Sequence, residues 1–211
     1  MYYSPQFPFH HEALARDAGQ PPVEALEAAR EILNQPEVIQ LADDGLLTLG
    51  MVRPDMDSAI LLPTESDKEA AEEVEKRISR LRIMAKFSIV LDDIAVRDFY
   101  AGDPEQSMSK GPSEDPRYSN RWEEFVGFMS GGHSTVLLLH GDNAVPTFRE
   151  QLGHWNIEKR RDLTTIRGQL AKNNRNNLLH GSDSPTSVVR EAGIIYDSLS
   201  RQIARVSSQS S

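Results

Sequence analysis

The chain has 211 residues, 38% of them hydrophobic, which suits one domain with a buried core plus an extension. Thirty-two acidic residues against 23 basic ones give a net charge of −9. That balance argues against general affinity for nucleic acid or anionic membrane, yet permits nucleotides gripped by a few local arginines. There is no cysteine, so disulfides and thiolate metal sites are excluded. No apolar run is long enough to span a bilayer, and Met1–His11 lacks the basic start and apolar centre of a secretory signal. The expected class is a soluble cytoplasmic protein.

Met1–Asp44 reads as an N-terminal extension, an aromatic, proline-broken arm followed by a helix over Pro21–Asn34 that stops before Pro36. The main domain is expected over residues 45–200, with 201–211 as a polar tail. Leu46–Val52 predicts a buried strand. Ser66–Ala85 predicts a charged amphipathic helix striped by Ala70, Val74, Ile78, Leu81 and Met84. Phe87–Leu91 predicts a second strand. Ala101–Asn120, rich in Gly, Pro, Ser and charge, predicts a long loop. Arg121–Ser130 is helical in pattern, Thr135–His140 is a third strand, and Ala144–Leu152 is a short helix stopped by Gly153. Asn156–Thr165 reads as a loop, and Leu178–Leu179 as a short last strand. Ser184 is a good N-cap and Pro185 suits the first helical position, because it has no amide hydrogen to leave unpaired. From Thr186 a helix follows, with Val188, Val189, Ala192 and Ile195 on one face. The order strand, helix, strand, strand, helix, strand implies an α+β sandwich of the ferredoxin-like type, a four-stranded antiparallel sheet with helices on one face.

The most informative run is Asn177-Leu178-Leu179-His180-Gly181-Ser182-Asp183-Ser184. It sets a histidine beside a glycine, a hydroxyl and a carboxylate where a helix begins, with Glu191 two turns on able to face back toward it. A histidine held by a carboxylate is a competent nucleophile or proton carrier. His10, His11, His133, His140 and His154 have spacings that fit no common metal site.

The run resembles the signature of the nucleoside diphosphate kinases at every position. Thr165-Ile166-Arg167-Gly168 is identical to that family's Thr-Ile-Arg-Gly, and Gly141 and Asn143, then Arg149, then Leu152-Gly153 fall in its order. Met51-Val52-Arg53-Pro54-Asp55 is similar to its opening motif, with arginine in place of lysine. Met129-Ser130-Gly131-Gly132 resembles a further turn of the family. The resemblance covers about Leu46 to Tyr196 and implies a ferredoxin-like fold. It also implies transfer of a triphosphate's terminal phosphate to a nucleoside diphosphate through phospho-His180, with Mg²⁺ entering on the nucleotide and no dedicated metal site in the protein. Glu191 and Ser182 would orient the ring, and Tyr100 would stand near it. Arg53, Arg149 and Arg167 would bind phosphate and Asn177 a ribose or phosphate oxygen. Asp183 would brace Arg167 or its own loop. A homo-oligomer is implied, with no membrane or nucleic-acid partner.

Two departures bear on this reading. The family's phosphate-contacting threonine falls at or next to Trp155, and its base-packing phenylalanine falls at Arg121, beside Trp122. Both tryptophans are candidate nucleotide contacts, though a tryptophan does not replace a hydroxyl bond to phosphate. A catalytically weak or inactive nucleotide-binding module of the same fold is the alternative.

Overall fold

The computed structural model describes residues 23–53, 65–101, 116–130, 132–156, 159, 162–171 and 178–209. The strands are β1 (Leu47–Val52), β2 (Arg82–Val90), β3 (His133–His140) and β4 (Leu179–Gly181). They form one sheet in the order β2-β3-β1-β4, antiparallel throughout. The helices are α1 (Val23–Leu33), α2 (Pro36–Asp43), α3 (Glu65–Arg77), α4 (Asp93–Ala101), α5 (Pro116–Ser130), α6 (Ala144–Leu152), α7 (Ile166–Leu170) and α8 (Pro185–Gln209). This is the expected ferredoxin-like arrangement.

Helices cover both faces of the sheet, not one. Strand β1 is buried at all six positions, and β3 sends Val136 and Leu138 to one side and Leu137 and Leu139 to the other. A strand that is apolar on both faces needs a layer on each. α3, α6 and α7 cover one face through Ala71, Val74, Phe148, Leu152 and Ile166. On the other face, α1, α2, α4, α5 and α8 close the larger core, with Leu26, Leu33, Phe99, Phe125, Ile195 and Leu199 among its members. Residues 23–43 thus share the core of the sheet.

Several boundaries differ from the sequence pattern. The charged helix ends at Arg77, and Arg82–Val90 is a strand whose Ala85, Phe87 and Ile89 point inward. A register shift between Ile83 and Ala85 breaks the two-residue alternation there, and Ile78, Leu81 and Met84, three residues apart, read as one helical stripe. Pro36 begins α2 instead of merely ending α1. Asp92 accepts a bond from the Ala95 amide (2.8 Å) and caps α4, a helix the sequence pattern left out. α5 starts at Pro116, inside the segment expected to be a loop; residues 102–115 lie outside the described ones. α8 runs on through the expected polar tail to Gln209, with Gln202 and Ile203 buried. The aromatic arm over 1–22 also lies outside the described residues.

Candidate active site

His180 sits at the centre of β4, opposite Met51 of β1. Both ends of this three-residue strand are tied to β1. The Arg53 amide donates to the Leu178 carbonyl (2.8 Å), and the Ser182 amide donates to the Leu49 carbonyl (3.0 Å). Leu178 has φ +73°, a left-handed conformation that costs an L-residue about 1–2 kcal/mol. That strain stands two residues before the histidine, where such outliers tend to be retained by function. Gly50 and Gly181 face each other across β1 and β4. A Cβ at either would come within 2.9–3.0 Å of the Phe148 ring, so the two glycines form the floor on which that ring lies.

Alternation along β4 sends Leu179 to the α6 side and His180 to the α8 side. There the Nε2 of His180 donates to Oε2 of Glu191 (2.9 Å), and the Ser182 hydroxyl donates to the same oxygen (2.6 Å). The Glu191 side chain is only 3% exposed and that of His180 14%. A buried carboxylate that takes Nε2–H fixes the ring's tautomer and leaves Nδ1 as the basic nitrogen. Among the described residues no hydrogen bond engages Nδ1. The Phe99 ring stands edge-on to the imidazole at 4.9 Å and Tyr100 at 5.9 Å, so the ring has an apolar wall.

Glu191 reaches this place because of how α8 begins. Ser184 caps the helix by accepting from the Ser187 amide (3.1 Å), as the sequence predicted. Asp183 does not brace Arg167. Its carboxylate accepts from the Ser187 hydroxyl and so braces the first turn of α8. That bond holds the carboxyl below the usual aspartate range against the opposing effect of partial burial, and the nearby charge of Arg149 assists.

A second group of residues lies on the α6 side. Arg149, Leu152, Gly153, His154, Trp155 and Arg167 line an open pocket of about 230 Å³. Arg167 donates through Nε and Nη2 to the Leu179 carbonyl (3.2 and 2.6 Å) and through Nη1 to the Gly153 carbonyl (2.9 Å). The residue beside His180 is therefore gripped by one of the pocket's two arginines. Thr165 caps α7 by accepting from the Gly168 amide, and Gly153 stands at φ +80°, where a Cβ would strike Thr165.

The expected site residues thus fall in two groups joined by β4. His180, Glu191, Ser182 and Tyr100 form one. Arg53 belongs with them, buried, its guanidinium 5.1 Å from the Tyr100 ring centre and 5.7 Å from that of Phe125. Arg149, Arg167 and Trp155 form the other. Trp155 lines the pocket and stacks on His154 at 5.8 Å. Trp122 is not in the pocket; it stacks on Phe125 at 5.9 Å and packs against the larger core. Asn177 lies outside the described residues. Sequence reasoning missed His154 as a lining residue, although its place directly after Gly153 is a usable signal. Among the described residues there is no cluster of three or more His, Asp or Glu side chains able to hold a metal, and the pocket wall is cationic.

Fold and site define a class: a ferredoxin-like sandwich with a carboxylate-fixed histidine on its edge strand and an arginine-lined pocket beside it. The family model for nucleoside diphosphate kinase matches residues 55–200. The chain belongs to the nucleoside diphosphate kinase family. A nucleoside diphosphate kinase of Salinibacter ruber is 30% identical over 140 residues, 65% of this chain and 89% of the relative. One from Nocardioides is 44% identical over 72 residues, 34% of this chain and 53% of the relative. The matches to this and several other curated relatives span about half of those proteins' length. Among solved structures, the Aquifex aeolicus nucleoside diphosphate kinase superposes with a TM-score of 0.54 at 25% identity, over 71% of this chain and 94% of its own. The fold is also shared with the Encephalitozoon cuniculi enzyme, at TM-score 0.53 and 20% identity, over 71% and 87%. Among the described residues no helix is long and apolar enough to cross a membrane.

Proposed function

We propose that this protein is a nucleoside diphosphate kinase that works by a ping-pong mechanism through His180. The observation that carries the reading is the bond from His180 Nε2 to the buried Glu191 carboxylate, which leaves Nδ1 as the nucleophile. In the first half-reaction the Nδ1 lone pair forms a bond to the terminal phosphorus of a nucleoside triphosphate. The bond from that phosphorus to the bridging oxygen breaks, and the diphosphate departs with the electron pair. In the second, a terminal oxygen of another nucleoside diphosphate attacks phosphorus and the P–N bond breaks. The Nε2 proton stays on the Glu191 side throughout, so the ring needs no proton exchange with water.

Phosphoryl transfer depends mostly on positioning and cationic stabilisation of the equatorial oxygens. Arg149 and Arg167 supply that charge in the reading, with Asn177 as a polar contact. Arg53, packed against the Tyr100 and Phe125 rings, is the third phosphate-binding cation of the reading, and Trp155 offers a flat apolar face to the nucleotide. Mg²⁺ fits this site as a passenger on the phosphates, since among the described residues the pocket wall offers arginines and no carboxylate cage. When bound it would shield phosphate charge. The reading includes a cytoplasmic location and a homo-oligomer, and light scattering on the purified protein checks the second.

The test is intact mass after incubation with Mg-ATP, beside a His180→Ala control, followed by a chase with nucleoside diphosphates. An acid-labile adduct that needs His180 and is discharged by diphosphates is the expected result. Bound nucleotide without any adduct would overturn the reading and select the non-catalytic module.

A further inference from the structure

The Glu191 carboxylate has two oxygens, and the bonds described so far use only Oε2. Oε1 accepts from Nη2 of Arg190 at 3.2 Å. The same guanidinium donates through Nη1 to the carbonyls of Asp98 (3.1 Å) and Phe99 (3.3 Å) in the last turn of α4. Neighbouring residues on a helix point about 100° apart, so Arg190 and Glu191 do not face each other by default. The Arg190 side chain must turn back, and the α4 carbonyls hold it there. They lie at the negative end of that helix, where a cation is favoured.

This places one cation between the two elements that frame the imidazole. On one side is the carboxylate that takes Nε2–H. On the other is α4, whose Phe99 and Tyr100 rings stand edge-on to the ring of His180. A carboxylate 3% exposed needs a compensating charge, and Arg190, 37% exposed, keeps its own contact with water. With Oε1 engaged, the carboxylate cannot rotate about its terminal bond without breaking either the Arg190 bond or the shared bonds at Oε2.

We propose that Arg190 is a positioning residue for phosphoryl transfer: it fixes the Glu191 carboxylate between α4 and His180, and so holds the histidine in the tautomer whose Nδ1 attacks phosphorus. The proposal rests on the kinase reading for its rate effect, but its effect on the tautomer is independent of that reading.

The experiment compares wild type, Arg190→Met and Arg190→Lys in the full chain by three measurements. These are the single-turnover rate of His180 phosphorylation by Mg-ATP, the KM for ATP, and the His180 tautomer from two-bond ¹H–¹⁵N correlation spectra. Arg190→Met is expected to slow phosphorylation on the order of 10–100-fold, the usual scale for loss of an outer-shell partner. KM should stay within about twofold, since the lost interaction does not touch the nucleotide. The spectrum should change from the Nε2–H form to a mixture. Arg190→Lys keeps the charge without the fork, so it should recover part of the rate and of the tautomer. A rate and tautomer unchanged in Arg190→Met would overturn the proposal. So would a slower rate with the tautomer intact and a lower melting temperature, which marks a purely structural role. If wild type forms no adduct, the kinase reading fails, and the tautomer comparison alone decides: a mixture in Arg190→Met upholds the positioning role, an unchanged form overturns it.

Discussion

A single methyl group placed at Gly50 tests the packing that supports the histidine. The Cβ of a Gly50→Ala variant would lie 2.9 Å from both Cε1 and Cζ of Phe148, whereas carbon atoms rest at about 3.5–4.0 Å. The ring has nowhere cheap to go. Phe148 is fully buried between α6 and the sheet, and Gly181 blocks it from the other strand, with its own would-be Cβ 3.0 Å from Cε1. Overpacking of this kind costs about 1–3 kcal/mol. Phe148→Leu shortens the side chain and should itself cost about 1 kcal/mol. The double variant should cost less than the sum of the two by at least about 0.5 kcal/mol, because the leucine makes room for the methyl group. Urea unfolding of the four proteins measures the cycle. If Gly50→Ala lies within about 0.5 kcal/mol of wild type, or if the two costs simply add, then the glycine floor does not hold the ring as described.

Glu191→Gln should keep nucleotide binding and slow His180 phosphorylation by on the order of 10²–10⁴-fold, since an amide cannot accept at both ends and the wrong tautomer results; pre-steady-state phosphorylation measures it. Gly153→Ala should destabilise the protein and weaken nucleotide affinity together. Its Cβ would sit 2.2 Å from Thr165 Oγ1 in a left-handed backbone, while its carbonyl holds Arg167; calorimetric titration with ADP reads the second effect. Asp92→Ala should cost about 1–2 kcal/mol through loss of the α4 cap, and with it the Arg201 bonds at 2.6 and 2.9 Å. Burial alone would push the Asp92 carboxyl up, but bonds from Arg201 and the Ala95 amide outweigh it and hold it below its ordinary 3.8. A carboxyl lowered on folding stabilises fully above that ordinary value and loses the effect as pH falls through the folded one. The wild-type and Asp92→Ala stabilities should therefore converge in acid; parallel acid limbs in chemical unfolding would contradict this.

Much of the site was legible because it is local. Ser184, Pro185 and the apolar face of α8 are consecutive signals, so the placement of Glu191 toward His180 follows from helical period alone. Gly141, Asn143 and Gly153 marked the ends of β3 and α6 for the same reason. What escaped was set by tertiary context. The register shift at Met84 disguised a strand as a helix, since a bulge spoils the two-residue alternation on which strand reading rests. The second helical layer was hidden because β1 and the Val136–Leu139 run of β3 are largely apolar, and such a run does not say how many layers cover it. α4 was missed although Asp92 before Ala95 and Val96 is a cap signal. Arg190 was missed because its partners, the Asp98 and Phe99 carbonyls, lie 92 and 91 residues away in the chain. Trp122 was a candidate nucleotide contact by its neighbourhood in sequence; its place one turn before Phe125 in α5 sets the two rings in a stack.

Arg167 is an anchored cation. Its guanidinium is pinned by the Leu179 and Gly153 carbonyls before any ligand arrives. A free arginine gives up side-chain entropy worth about 2 kcal/mol when an anion captures it. Here folding has already imposed that loss, so under the proposed function an incoming phosphate would meet a charge that need not be searched for or reorganised. The same anchoring ties the strand that carries His180 to the Arg167 guanidinium, so displacement of either is registered by the other.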